Sequence, residues 1–334
     1  MKSLRMICRG VCVIVAITIM VSCGGGQQRE KQVSGEIESS YENEGSAEPA
    51  QKSGEKAVIG VTLLTRTHPF YQDLESGLKA EAEKHGYTLL ISAGEFDVAR
   101  QKDQISDFIV KMVNAIIVCP CDSKSIGTSI IKANEAGIPV FTADIACLAE
   151  GARVVCHVAS DNMVGGREAA KAMIEALGGS GKVAIIDHPE VESVIQRVKG
   201  FEDEIARAQG IQIVTKLPGG AVKDKAFRVV EDVLQANPDL DGIFGINDDT
   251  ALGALVAVEK AGKLGKVAIV GFDAVPEARK AIKEGKIYAD VIQNPRLIGQ
   301  STINVIAQYM AGDEVPPEIL IPCGLYTQAD AKAE

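Results

Sequence analysis

The chain has 334 residues, of which 46% are apolar, 24% charged and only 4% aromatic, with no tryptophan and a formal net charge of −10. That is enough material for two ordinary domains with packed cores. So acidic a balance argues against nucleic acid as a partner.

Residues 1–22 carry Lys2, Arg5 and Arg9 with no acid, then an apolar run from Val11 to Val21, which is the charge and order of a secretory signal. The run is too short for a comfortable membrane span. Met20-Val-Ser-Cys23 resembles a bacterial lipobox, with Met where Leu is usual, so Cys23 is expected to become the lipid-bearing first residue; a plain signal with a chance cysteine is the alternative. Residues 23–56 are Gly, Gln, Ser and Glu with hardly an apolar side chain. Such a segment buries too little surface to offset its chain entropy and reads as a disordered tether.

From Ala57 strands and helices alternate. The predicted order is strand Ala57–Leu64, helix Pro69–His85, strand Tyr87–Ile91, helix Val98–Met112, strand Ala115–Val118, helix Ser123–Glu135 and strand Ile138–Thr142. Asp161 is placed to cap the next helix, and the pattern resumes with strand Lys182–Asp187, helix Val191–Ala208, strand Ile211–Lys216 and helix Lys223–Gln235. Gly242–Ile246 then forms a short apolar strand, Asn247 follows it, and Asp248 or Asp249 stands where the N-cap of a helix with Leu252, Leu255 and Val258 on one face should be. Strand Val267–Gly271, helix Pro276–Lys283 and strand Ile287–Ile292 follow. This alternation implies parallel sheets covered on both faces, and the strands are too many for one sheet of usual size, so two lobes are expected with a boundary near Val155–Asp161. A strand that ends in a polar side chain and turns straight into a helix puts that side chain at the carboxyl edge of the sheet, where open α/β folds bind ligands. Asn247 sits at such a place, although it could merely close a turn.

Seven ordered segments carry a resemblance: Thr67-His-Pro-Phe-Tyr71, Ile138-Pro-Val-Phe-Thr-Ala-Asp144, His157-Val-Ala-Ser-Asp-Asn162 with Gly165-Gly166, Arg197-Val-Lys-Gly-Phe201, Phe244-Gly-Ile-Asn-Asp248, Ala251-Leu-Gly-Ala-Leu255 and Val270-Gly-Phe-Asp273. Together they resemble the periplasmic ribose-binding protein family, the solute-binding proteins of sugar ABC importers, over essentially all of residues 57–326. The resemblance implies the type I periplasmic binding fold, α/β with two doubly wound parallel-sheet lobes joined by three hinge crossings and a sugar held between them. The crossings would fall near Ser160, Gln293–Pro295 and Pro322. The first lobe would then be residues 57–160 plus 294–322 and the second 161–293 plus 323–334.

Eight ligand-binding positions follow from the resemblance. Phe70 and Tyr71 match an aromatic pair that stacks on the C–H face of a sugar ring, with core packing as the bland alternative. Asp144 and Asp273 match carboxylates that accept from neighbouring hydroxyls, or else serve as turn or cap residues. Arg197 matches a guanidinium that donates to ring or hydroxyl oxygens; otherwise it lies on a solvated helix face. Asn247 and Gln293 match amides that both donate and accept. His68 stands where Asn is usual and could supply a replacement donor, or face solvent at a helix start. Ile145 replaces a charged donor, Ala221 an aromatic, and Cys119 another Asn, changes that remove contacts a small pentose would use. They point to a roomier, less charged cleft for a hexose, ketose or sugar alcohol.

The expected partners are therefore a neutral monosaccharide or polyol, an ABC permease with its ATPase, and a membrane reached through the N-terminal lipid only. No nucleic acid, cofactor or metal is expected, and the protein should be an exported monomer anchored on the periplasmic or extracellular face of a bacterial membrane. Of Cys119, Cys121, Cys147, Cys156 and Cys323, an odd number, most should be small buried thiols; a Cys147–Cys156 bridge or a metal or reactive site are the alternatives. No Gly-x-Ser-x-Gly elbow, Walker loop or His-Glu-x-x-His occurs, so no enzyme is expected. The alternative to an importer subunit is a sensory module presenting its bound sugar to a chemoreceptor or histidine kinase. A sugar-responsive repressor would need an N-terminal helix-turn-helix where this chain has a signal and tether.

Overall fold

The computed structural model describes residues 56–334; the predicted signal, Cys23 and the tether through residue 55 lie outside them. The strands are β1 (Val58–Leu63), β2 (Thr88–Ala93), β3 (Ala115–Val118), β4 (Val140–Ala143), β5 (His157–Ser160), β6 (Ser180–Asp187), β7 (Gly210–Pro218), β8 (Gly242–Gly245), β9 (Ala268–Asp273), β10 (Ala289–Ile292), β11 (Glu318–Ile321) and β12 (Gly324–Thr327). The helices are α1 (Pro69–His85), α2 (Val98–Val110), α3 (Gly127–Glu135), α4 (Asn162–Ala176), α5 (Glu192–Ile205), α6 (Lys223–Ala236), α7 (Asp248–Lys260), α8 (Pro276–Lys283), α9 (Pro295–Met310) and α10 (Gln328–Ala333).

Two six-stranded sheets result, in the orders β11-β5-β4-β3-β1-β2 and β12-β10-β9-β8-β6-β7. Every pairing is parallel except β10 with β12. The exception has a simple cause. Strand β11 runs toward the carboxyl edge of the first sheet, and only Pro322 and Cys323 separate it from β12. The chain therefore enters the second sheet from its carboxyl edge, and Gly324 pairs with Ile292 at the end of β10.

Side chains alternate between the two faces of each sheet, so both faces are apolar. In β3, Ile117 joins the cluster containing Leu74 and Leu78 of α1, whereas Ile116 and Val118 join Ile105 and Phe108 of α2. In β6, Val183 and Ile185 face one way and Ala184 and Ile186 the other. Three crossings link the lobes: α4 follows β5 but packs on β9, β10 and α5; α9 follows β10 but packs on α1, β4 and β5; β11 leads into β12.

Helices α4 and α5 touch backbone to backbone. A Cβ on Gly166 would lie 2.0 Å from the Arg197 carbonyl oxygen, and one on Gly200 would lie 2.2 Å from that of Met163. Only glycine admits such an approach, and it fixes the height of Arg197 on the second sheet.

Two sequence expectations need correction. Helix α7 begins at Asp248, and its N-cap is Asn247 rather than Asp248 or Asp249. Helix α3 begins at Gly127 rather than Ser123, because Asp122 accepts the Lys124 and Ser125 N–H groups through one carboxylate oxygen and bends residues 122–126 into a turn.

Candidate ligand-binding site

The crossings leave from the carboxyl edges of both sheets, so those edges face each other across a gap. All eight positions expected to bind ligand (His68, Phe70, Tyr71, Asp144, Arg197, Asn247, Asp273 and Gln293) line one cavity there.

Asp144 follows β4 with φ 66°, and Asp273 ends β9 with φ 119°. Such conformations cost a non-glycine residue on the order of 1–3 kcal/mol and are kept where they aim a side chain. Asp144 is 3% exposed. The Tyr71 hydroxyl donates to its Oδ2 at 2.6 Å, while Oδ1 is buried with no partner. Burial pushes this carboxyl up to about 6, against the opposing pull of the Arg197 charge and the Tyr71 hydrogen bond.

Arg197 is buried rather than solvated. Its Nε donates to Asn162 Oδ1 at 2.7 Å, Nη1 donates to the Ile246 carbonyl at 3.0 Å, and the guanidinium lies 4.0 Å from the centre of the Phe272 ring. Asp273 Oδ1 is 3.9 Å from Nη1 and accepts from Gln293 Nε2 at 2.5 Å. The Oε1 of Gln293 in turn accepts from Ser160 Oγ. Gln293 thus links two crossings and orients Asp273, and much of its amide is engaged by protein.

His68 is the N-cap of α1, with Nδ1 accepting from the Phe70 N–H at 3.2 Å. An accepting Nδ1 puts the neutral ring's proton on Nε2. That Nε2 is buried without a hydrogen-bond partner, 3.6 Å from Asp273 Oδ2 of the other lobe. Asn247 Oδ1 accepts from both the N–H and the hydroxyl of Thr250, and Nδ2 donates to the Ala221 carbonyl at 3.2 Å. Its capping and its place on the cavity wall are therefore compatible. Phe70 and Tyr71 meet edge to face at 5.1 Å, and Phe70 belongs to the core as well as to the cavity wall.

Ile145 and Ala221 line the cavity, where they add apolar surface; Cys119 is buried outside it. All five described cysteines are free thiols, so no Cys147–Cys156 bridge forms. Among the described residues, no three His, Cys, Asp or Glu side chains gather as metal ligands would.

The cavity also has walls that sequence reasoning missed. Phe96 of the first lobe and His188 of the second meet edge to face at 6.3 Å, and Ser193 and Val194 project from the first turn of α5. His188 follows β6 at the sheet's carboxyl edge, so the rule that singled out Asn247 could have found it. Phe96 offered no such signal: it sits in a tight turn at φ 61°.

Residues 59–314 match the family model described as a periplasmic binding protein domain. The chain is 34% identical to the ribose import binding protein of Bacillus subtilis over 84% of this chain and 91% of that one. The solved structure of an ABC transporter periplasmic solute binding protein from Actinobacillus succinogenes, with bound D-allose, has a TM-score of 0.77 and 30% identity, covering 84% of this chain and 100% of that one. An ABC transporter solute binding protein from Bacillus halodurans with bound myo-inositol has a TM-score of 0.78 and 28% identity, covering 85% of this chain and 98% of the other.

Proposed function

The chain belongs to the periplasmic binding protein family, in its ribose-binding-protein-like branch, and from that membership we propose that it binds a neutral monosaccharide or polyol between its lobes and delivers it to an ABC permease by closing on it. It is a binding protein and not an enzyme, as its relatives are. The observation that carries the sugar reading is the unspent hydrogen-bonding capacity of the cavity. Asp144 Oδ1 and His68 Nε2 are buried without hydrogen-bond partners, one an acceptor and the other a donor. Buried polar groups are seldom left that way. A polyol supplies hydroxyls that both donate and accept, and the Phe70–Tyr71 pair supplies a face for its C–H side.

The apolar replacements at Ile145 and Ala221 favour a hexose, ketose or sugar alcohol over ribose. The relatives named above bind ribose, D-allose and myo-inositol, a span that agrees with a neutral polyhydroxy ligand and leaves size as the variable. Residues 57–160 with 294–322, and 161–293 with 323–334, are proposed as the two closing lobes. Export and anchoring through a lipid on Cys23 rest on the sequence of residues 1–23 alone. The test is a thermal-shift screen of the folded domain against pentoses, hexoses, ketoses and alditols, since a ligand that prefers the folded form raises the melting temperature. No shift with any of them, or turnover of a bound sugar, overturns the reading.

A further inference from the structure

Helix α5 carries Ser193, Val194 and Arg197 into the cavity, yet its own N-cap residue, Val191, has no side-chain acceptor to offer. The N–H groups of a first helical turn lack intrahelical partners and need one from elsewhere. Here the partner comes from the other lobe. Ser123 follows β3 in the first lobe, and its Oγ accepts the Glu192 N–H at 2.9 Å. Its own N–H donates to the Glu190 carbonyl at 3.0 Å. Ser123 is 1% exposed and does not line the cavity. It is held in place by the Asp122 turn and by the Leu148 N–H, which donates to the Ser123 carbonyl at 2.7 Å.

We propose that Ser123 is a closure latch: it caps α5 in trans, so the helix that presents Arg197 gains its cap only when the lobes are shut. When they part, Glu192 N–H returns to water and α5 has no cap of its own. Ser123 is then a positioning residue that favours the closed state without touching ligand. This inference rests on the sugar-binding reading above and adds to it the residue that links closure to the binding helix.

Two substitutions remove the trans bond from opposite ends. Ser123→Ala deletes the acceptor. Glu192→Pro deletes the donor at the first helical position, where proline is tolerated within the helix, and also sets a ring carbon against the Ser123 hydroxyl, so it blocks the same contact sterically. Val191 already has φ −119° and ψ 138°, the extended conformation a residue before proline needs. Glu192→Ala keeps the N–H and controls for loss of the carboxylate. Affinities for D-ribose, D-allose and myo-inositol would be measured by calorimetry, with small-angle scattering for compaction and melting temperatures of the ligand-free proteins. Losing a helix cap corresponds to roughly a two- to thirtyfold change in an equilibrium constant. S123A should therefore weaken every sugar that the wild type binds by about the same factor within that range, with their ranking kept. E192P should weaken them at least as much relative to E192A, and the double S123A/E192P should be no weaker than the worse single.

Ligand-free melting temperatures should stay within a degree or two of wild type, because the bond exists only across the closed gap. Wild-type affinity in both variants overturns the latch while leaving the binding function intact. A changed ranking of sugars would mean that Ser123 touches ligand, and an equal loss in ligand-free stability would mean that it only holds its own lobe; either also overturns it. A wild type that binds none of the three sugars, nor any other in the screen, removes the function and the latch together.

Discussion

Arg197 donates to Asn162 and the Ile246 carbonyl and lies on Phe272, so its guanidinium is fixed before any ligand arrives. Replacing it by Ala should cost at least about tenfold in sugar affinity, because ligand oxygens lose a buried donor and the Asp144 and Asp273 carboxylates lose a nearby positive charge; retained affinity in calorimetry would remove its role. A second pair of residues makes a different prediction. Asp248 and Asp290 are both fully buried behind the turn that presents Asp273; Asp248 Oδ2 accepts from the Val275 N–H at 2.6 Å, and their other three oxygens have no donor. Burial pushes both carboxyls up, and for Asp248 the charge of Asp290 adds to it, which favours a proton held on the pair. Because the folded state holds that proton more tightly than the unfolded chain, this contribution to stability is full below about pH 4 and is lost as pH rises from there through the raised folded value. Asp290→Asn removes one of the two carboxyls and offers the other an amide donor, so it should reduce that slope, as urea unfolding at pH 6 and pH 9 would reveal. Equal slopes would remove the shared proton. Nothing in the sequence announced this pair: Asp248 read as a helix cap and Asp290 as one residue of a strand. Asn247 was legible as a polar side chain just past a parallel strand, and the other seven cavity positions were legible through the family resemblance. What could not be read was how much of each side chain is already occupied, as with Gln293 between Ser160 and Asp273.

Among elements, the α4–α5 pair is the one whose packing bears most directly on the site. Gly166→Ala places a methyl 2.0 Å from the Arg197 carbonyl oxygen, which is backbone and cannot swing away. The helices must separate, and the expected cost is about 1–3 kcal/mol of stability together with a loss of sugar affinity, since Arg197 moves with α5. A variant with wild-type melting temperature and affinity would show that the pair can slide at no cost. Position 178, a glycine with φ 60° in open space, serves as a contrast: alanine there meets no atom within 4 Å and should leave affinity alone. Most elements could be read from hydrophobic period and capping because each buries one apolar stripe or run. The failures have separate causes. The last strands, Glu318–Ile321 and Gly324–Thr327, are four residues each and half exposed, so they lack a period; they exist because neighbouring strands β5 and β10 offer unpaired edges. The start of α3 was misplaced because a local Asp122 turn competes with the first helical turn.

On the proposed reading the lobes part when no ligand is bound, and Asp144 offers a physical reason why they would. With the lobes together and no sugar present, its carboxyl is buried, one oxygen has no donor, and its pKa is pushed up to about 6. If the open form exposes this group to water at its ordinary value near 3.9, shutting an empty cleft at pH 7 costs about 3 kcal/mol. Hydroxyls that donate to Oδ1 would offset that cost, which makes closure conditional on a ligand. The sign is fixed by the raised value: the closed empty form is favoured below about pH 4, where the carboxyl is protonated in both forms, and this advantage is lost as pH rises through about 6. Tyr71, His68, Arg197 and Asp273 all act on the same carboxyl. His188 in the same gap is pushed down by burial and so works in the opposite sense near pH 6. A comparison at fixed pH cancels that contribution. Ligand-free Asp144→Asn should accordingly be more compact than ligand-free wild type at pH 7.5, by up to about a hundredfold in the ratio of closed to open forms, and the two should converge near pH 4. Small-angle scattering or a distance label on each lobe would measure it. Identical curves for the two proteins at pH 7.5 would mean that Asp144 does not hold the empty cleft apart.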